Sequence, residues 1–179
     1  MDLLFVFAGA DDRKLFALEL FRERVAAKLL FSVARFDIRR FSKMPLPVPL
    51  NLLEIAAPTA APLRHFFVLF EAGSVEVEYV RPRRLGTLTE VAALWRWLDC
   101  HAPVRSLLLL SNGIHLRRIR LCCRSVLPST LRLTFIASPS PFSPGGDSRE
   151  TTRWRQTRAS LLELAKLIGY WIVLRLRRF

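Results

Sequence analysis

The chain has 179 residues, of which 51% are hydrophobic and 24% are charged. This composition is typical of one globular domain with a substantial core and excludes a disordered chain. No apolar stretch reaches the roughly 20 residues of a membrane-spanning helix, and the first residues lack the basic region of a signal peptide, so we expect a cytoplasmic protein. The formal net charge is +13, but the basic residues are spread along the whole chain and 24 of the 28 are Arg. We therefore expect an anionic small molecule or lipid head group as partner and no specific nucleic acid, unless the charge only reflects a preference for Arg codons.

The first part of the chain predicts a βαβ unit. Residues 3–8 form a continuous apolar run that ends in the loop Gly9-Ala10-Asp11-Asp12. Residues 28–33 form a second apolar run, and strands joined by a helical crossover are parallel. The helix between them is predicted to bury one side, formed by Leu15, Leu18, Phe21 and Val25.

The next part predicts an irregular excursion followed by a hairpin. Residues 36–63 contain five prolines, which leave room for one helical turn near 51–56. Residues 65–71 and 75–80 predict two strands on either side of a short turn. His65 is interpreted as the first residue of its strand rather than as a ligand.

The second half continues the alternation of helix and strand. Thr87 and Glu90 have the spacing of a capping box at a helix start. Residues 105–110 predict a strand that leads through the segment Ser111 to Arg118 into a helix, and residues 131–137 predict a further strand. The three cysteines lack the Cys-x-x-Cys spacing of a zinc or redox site, so we expect reduced and mostly buried thiols.

The C-terminal part predicts a loop and a long helix. Residues 138–150 are rich in Ser, Pro and Gly and predict a flexible loop. Residues 151–178 are helical in pattern, and two interpretations remain open: packing on the sheet, or a basic amphipathic anchor that places Trp171 and Arg175 at an anionic interface. The apolar stripe expected to pack consists of Leu161, Ala165, Ile168, Ile172 and Leu176.

These elements predict an α/β fold over residues 1–179: a single Rossmann-like, three-layer domain with a mostly parallel central sheet of about five strands and a C-terminal helix packed on it. Ligands of such sheets bind at the carboxyl ends of the strands. The candidate binding residues at those ends are Gly9, Asp11, Arg13, Ser32, Thr87, Ser111, Asn112 and Arg118, with His115 and Glu90 as candidate catalytic groups.

The junction from Ser111 to Arg118 is the strongest candidate, because a helix N-terminus presents unpaired N–H groups to a phosphate or carboxylate. His115 and Arg118 are three residues apart and share a helix face. The alternative is a solvated helix start with incidental basic residues. A serine triad is disfavoured, since Ser111 lacks a Gly-x-Ser-x-Gly elbow. The acidic pair after the first strand suits helix capping better than a magnesium ion, so no metal site is expected.

The order of these motifs resembles the YdcF-like family, a domain of unknown function shared with the SanA and ElyC envelope proteins. The most specific segment is Ser-x-x-x-His-x-x-Arg, here Ser111, His115 and Arg118. The resemblance implies a polar pocket at the strand ends, a role in envelope polysaccharide or lipid-carrier metabolism, and S-adenosylmethionine or nucleotide binding in one branch. The residues that match the family pattern are Gly9, Arg13, Thr87, Glu90, Ser111, His115, Arg118 and Glu163, with Trp154 near the last of them.

Two functions follow as hypotheses. The first is binding of a phosphorylated, nucleotide or lipid-carrier ligand by Arg13, His115 and Arg118, with Glu90 and Thr87 completing the pocket. The second is a non-enzymatic, envelope-associated module that contacts the inner membrane peripherally through its basic C-terminal helix. Catalysis, and with it the identity of any cofactor, stays open at this point.

Overall fold

Six strands form one sheet in the computed structural model, which describes residues 1–81, 86–101, 103–139, 162–173 and 175. The strands are β1 Leu3–Val6, β2 Lys28–Ala34, β3 His65–Glu71, β4 Ser74–Tyr79, β5 Ser106–Asn112 and β6 Arg132–Ser138. They lie side by side in the order β4-β3-β2-β1-β5-β6.

The centre of the sheet is parallel, as predicted. β1 pairs in parallel with both β2 and β5, so that Phe5 lies opposite Leu30 on one side and Leu109 on the other, and β6 continues the parallel order beyond β5. β3 and β4 form an antiparallel hairpin at the other edge. After β1 the chain first builds the sheet on one side of β1, with β2, β3 and β4, and then on the other side, with β5 and β6. The topological switch point therefore lies between β1 and β5, and ligands of such sheets bind at this point.

Helices cover both faces of this sheet. One face carries α1 Asp11–Arg22, α2 Ile38–Phe41 and α3 Leu52–Ala56, and the other carries α4 Gly86–Cys100, α5 Gly113–Val126 and the helical residues 162–173, termed α6. Successive strand residues alternate between the two cores: Leu4 and Val6 face α1, whereas Leu3 and Phe5 face α4 and α5. The protein therefore has a three-layer, Rossmann-like α/β fold.

The buried side of α1 agrees with the predicted one only in part. Leu18 is buried, and Phe21 and Val25 are partly buried against the same core. Leu15 is instead 39% exposed, whereas Arg13 and Lys14 are buried. The prediction for Leu15 was wrong because the first turn of α1 lies over the polar strand ends. The charged groups of Arg13 and Lys14 donate hydrogen bonds to backbone carbonyls there.

The buried side of α6 also differs from the prediction. Ile168 and Ile172 are about half exposed, whereas Glu163 and Tyr170 are each 8% exposed. Two polar contacts set this rotation: Glu163 pairs with Arg118, and the Tyr170 hydroxyl accepts a hydrogen bond from the backbone N–H of Thr87. The remaining residues of the predicted stripe are Ala165, which is exposed, and Leu161 and Leu176, which lie outside the described residues.

Several local predictions are confirmed or corrected. The helical turn near residue 51 is α3, and the excursion around it also contains α2 and a 3-10 turn, Ala61–Leu63. The predicted capping box is not formed, because the side chains of Thr87 and Glu90 have partners on other elements. Ser32 lies within β2 rather than after it, and Ser138 still belongs to β6, while residues 140–150 lie outside the described part. Within the described ranges, no helix is both long and apolar enough to cross a membrane.

Candidate functional site

The turn after β1 is held by a buried network of charged side chains. Gly9 has a φ of +125°, which favours glycine, and its N–H donates to Asp37 Oδ2 at 2.9 Å. Lys14 is fully buried; its Nζ donates to the Gly9 carbonyl at 2.6 Å and lies 3.3 Å from Asp37 Oδ2. Burial lowers the pKa of Lys14, and the Asp37 carboxylate offsets part of that effect. These contacts fix the Gly9 turn over the end of the sheet.

Arg13 joins the ends of the two strands that flank the switch point. Its Nη1 donates to the carbonyls of Phe7 and Ala8 at 3.0 and 3.1 Å, and its Nε donates to Asn112 Oδ1 at 3.1 Å. The side chain is 4% exposed. Burial lowers its pKa, while the nearby Glu90 and Asp37 act in the opposite direction. Arg13 therefore supplies positive charge beneath the site, with its donors directed at the protein itself.

A second buried chain of hydrogen bonds links α4, β2 and β3. The Ser32 hydroxyl donates to Glu90 Oε1 at 2.6 Å and lies 2.7 Å from His65 Nε2, and the same Glu90 oxygen accepts the N–H of Ala8 at 2.9 Å. Burial lowers the pKa of His65 to about 4 and raises that of Glu90. A neutral His65 then donates Nε2–H to the Ser32 oxygen. This polarity is opposite to that of a serine hydrolase, in which the histidine accepts the serine proton.

β5 passes directly into α5 at Asn112 and Gly113, with no connecting loop. Asn112 occupies the N-cap position with an extended backbone but makes no side-chain cap. Its Oδ1 accepts hydrogen bonds from Arg13 and from the Ser138 hydroxyl instead. The first turn of α5 holds no acidic residue. The N–H groups at this helix start therefore lack the side-chain acceptor that N-cap residues usually provide.

Ser111 precedes this helix start and is 1% exposed, yet its hydroxyl has no hydrogen-bond partner among the described residues. Strand alternation places Ser111 on the same face of β5 as Leu109, which packs under α4 and α5. A buried hydroxyl without a partner is uncommon in native structures. Its position is consistent with an acceptor that arrives with a ligand.

Three basic side chains surround the carboxylate of Glu163 of α6. Arg118 Nη1 pairs with its Oε2, His115 Nδ1 lies 3.1 Å from the same oxygen, and Lys166 Nζ donates to Oε1 at 2.9 Å. Arg118 Nε also donates to Thr87 Oγ1 at 3.2 Å. Burial opposes ionisation of Glu163, but the basic partners outweigh it and bring its pKa to about 2. Arg118 thus already binds one carboxylate within the chain, with His115 beside it.

The basic character of His115 is weakened by its surroundings. Its Nδ1 is buried and is not aligned for a hydrogen bond to any described residue, although Glu163 is close. Burial lowers the pKa of His115; Glu163 acts against this, and Arg118 and Arg13 reinforce it. The ring is therefore mostly neutral at neutral pH.

A cavity of about 330 Å³ opens beside this cluster. It lies between the start of α5 and α6, so the uncapped helix N-terminus and Arg118 border the same space. Its lining residues are Gly113, Ile114, Arg117, Arg118, Glu163, Leu164 and Leu167.

No family model, curated protein or solved structure matches the chain. The YdcF-like resemblance accordingly stands as a hypothesis. His115, Arg118, Thr87 and Glu163 form one linked cluster, and Gly9, Arg13 and Glu90 lie in the adjoining networks.

The other predicted site residues lie at the same edge of the sheet, with one turned outward. Asp11 Oδ2 lies 3.4 Å from Arg40 at the rim, and the described residues contain no cluster of three or more His, Cys, Asp or Glu that would hold a metal ion. Sequence reasoning missed Lys14, Asp37 and the role of His65. Because β3 runs antiparallel to β2, its first residue, His65, lies at the carboxyl edge, and no sequence pattern indicated this pairing.

Proposed function

We propose that this protein binds a phosphorylated or similarly anionic small molecule at the junction of β5 and α5. The observation that supports this proposal most strongly is the coincidence of an uncapped helix N-terminus with the partnerless buried hydroxyl of Ser111. Helix N-termini bind anions through their free N–H groups and their partial positive charge. Ser111 would add a hydroxyl donor on the same side.

Arg118 supplies the main opposite charge. A guanidinium has five N–H donors, and Arg118 uses one on Thr87 and one on Glu163 within the described part of the chain. Its other donors have no partner among the described residues and can bind phosphate oxygens in the fork geometry that Arg favours. The carboxylate of Glu163 already accepts one of the Arg118 donors. A ligand therefore either binds Arg118 together with Glu163 or displaces Glu163 from it.

His115 makes the binding depend on pH. An anion close to the ring favours the imidazolium, so binding is coupled to uptake of a proton whenever His115 starts neutral. Affinity for an anion that keeps its charge in this range should therefore rise as pH falls below neutrality. Arg13 and Lys14 hold the neighbouring turn and add positive potential from beneath.

We also propose that the chain is a member of the YdcF-like family with a role in envelope metabolism. The support is the motif order from Gly9 to Glu163 together with the linked cluster of His115, Arg118 and Glu163. Whether nucleotide, sugar phosphate or S-adenosylmethionine is the ligand is a question for a binding screen.

The test is a thermal-shift and calorimetric titration with inorganic phosphate, ADP, a sugar phosphate and S-adenosylmethionine at constant ionic strength. Ser111→Ala should leave the unliganded Tm nearly unchanged, because it removes a hydroxyl without an internal partner. It should weaken binding about 10- to 100-fold, the value of one hydrogen bond to a charged ligand. Ser125→Ala is the matched control, since Ser125 lies on α5 and donates only to the Leu121 carbonyl.

The proposal fails if none of the probes stabilises the wild-type protein more than it stabilises the His115→Ala/Arg118→Ala double variant. It fails equally if Ser111→Ala and Ser125→Ala bind every probe alike.

A further inference from the structure

The outward face of α6 carries a continuous apolar stripe. Leu164, Ile168, Trp171 and Ile172 follow one another at helical spacing, and between 46% and 53% of each side chain is exposed. Leu162 at the start of the helix is 54% exposed. The four stripe residues form a contiguous patch on one side of the helix, and such patches on a folded protein mark interaction surfaces.

Basic groups lie at both ends of this stripe, and the one acidic group of α6 is turned away from it. Glu163 is buried against Arg118, and Arg175 is exposed and lies over the Trp171 ring. Arg117 of α5 lines the cavity beside Leu164. In sequence, residues 113–126 and 162–179 together contain eight Lys and Arg and this single acidic residue. The outer surface of α6 therefore combines apolar and cationic groups.

We propose that α6 docks the protein on the surface of an anionic lipid bilayer, with the apolar stripe in the headgroup region and the basic side chains against lipid phosphates. Amphipathic helices of this composition bind by burying the apolar face to a shallow depth and by attraction to anionic lipids. Arg175 lies over the Trp171 ring at 4.8 Å. A tryptophan with its polar edge near water and its ring among apolar groups suits this interface.

Charge decides between a bilayer and a second copy of the chain. Two copies joined through their stripes would bring like-charged surfaces together on a chain of net charge +13. Lipid phosphates instead neutralise those charges. The docking surface adjoins the proposed anion site, since Leu164 and Arg117 also line its cavity. Arg118 and Ser111 themselves are buried behind α6 or at the strand end, and the residues replaced in the test below do not line that cavity.

The experiment is co-sedimentation of the full-length protein with vesicles of phosphatidylcholine alone or mixed with phosphatidylglycerol. The wild-type protein should bind the mixed vesicles and release from them at high salt. Ile168→Ser/Trp171→Ser should lower the partition coefficient by at least about tenfold, and Arg175→Gln by about fivefold. Because all three side chains are exposed, circular dichroism and the Tm should stay close to those of the wild type.

Phe36→Ser/Leu53→Ser is the matched control, since these two apolar side chains are 72% and 45% exposed and belong to the part of the chain that covers the other sheet face. It should bind vesicles like the wild type. The proposal is overturned if the wild-type protein stays in solution with anionic vesicles or if the stripe and control variants bind equally. It is also overturned if light scattering finds a dimer that the stripe variant disperses while vesicle binding is unchanged.

Discussion

Replacement of Glu163 by Gln tests the contact that joins α6 to α5. The pKa of Glu163 falls from 4.5 to about 2 on folding, and about 1.4 kcal/mol per pKa unit converts this into about 3 kcal/mol of stabilisation by ionised Glu163. Little of it is lost to solvent screening, because the side chains of Glu163 and Arg118 are 9% and 13% exposed. Gln keeps the shape and removes the charge, so α6 should be held less firmly by about that amount.

Hydrogen exchange measures this effect locally. In Glu163→Gln, amides of residues 162–173 should exchange about 100-fold faster than in the wild type, whereas those of β1 and β5 should change little. The folded pKa of Glu163 is depressed, so its contribution is complete above about pH 4.5 and fades as pH falls toward about 2. The difference between the two proteins should shrink over that same interval.

Lys166→Gln is the matched control for this measurement. Lys166 binds the same carboxylate at 2.9 Å, but its side chain is 54% exposed, so the pair contributes at most about 1 kcal/mol. Equal acceleration of exchange in both variants would contradict the stabilisation of α6 by ionised Glu163. An effect of Glu163→Gln that persisted undiminished near pH 2 would contradict it as well.

Three further substitutions or reactions probe the rest of the site. Gly9→Ala should lower the free energy of unfolding, measured by urea titration, by about 1–3 kcal/mol, because Gly9 has a φ of +125° and a Cβ there would lie 3.3 Å from the Arg13 guanidinium. Gly86→Ala should be close to neutral in the same titration, because a Cβ at Gly86 meets nothing within 4 Å. Burial raises the pKa of Glu90, so the wild type loses stability as pH rises above about 4.5. The stability of Glu90→Gln relative to the wild type should therefore increase with pH. A difference in urea midpoint that does not depend on pH would contradict this. A thiol reagent should label Cys100 alone in the folded protein, because the other two cysteines are buried with raised pKa values, and rapid labelling of more than one thiol would count against that burial.

The inner strands were predictable from the sequence because each is an apolar run with polar residues near its end. β2 and β5 both fall within a few residues of the predicted runs, and the parallel order of β1 and β2 follows from the helical crossover α1 between them. The edge hairpin was predictable as two strands, but its consequence for the site was not. Sequence spacing does not show that the antiparallel β3 brings His65 to Ser32 at the carboxyl edge.

The rotation of the helices was less predictable than their positions. Apolar periodicity assumes that the buried side of a helix is its most hydrophobic side. Around the switch point this assumption fails, because backbone carbonyls and carboxylates at the strand ends attract the basic residues of α1. Lys14 is fully buried there while Leu15 faces solvent.

The same reasoning accounts for α6 and links its two faces. A helix with apolar residues on most of its surface has no unique rotation from hydrophobicity alone, and the ionised Glu163 is buried where Arg118 and Lys166 pair with it. Once that pair forms, Tyr170 turns inward to meet the N–H of Thr87 at 3.2 Å, and Ile168 and Trp171 turn outward together. The exposed stripe is therefore a consequence of the buried ion pair. Because of this rotation, the apolar and basic surface lies on the outer side of α6, and the anion-binding groups lie on the inner wall of the cavity.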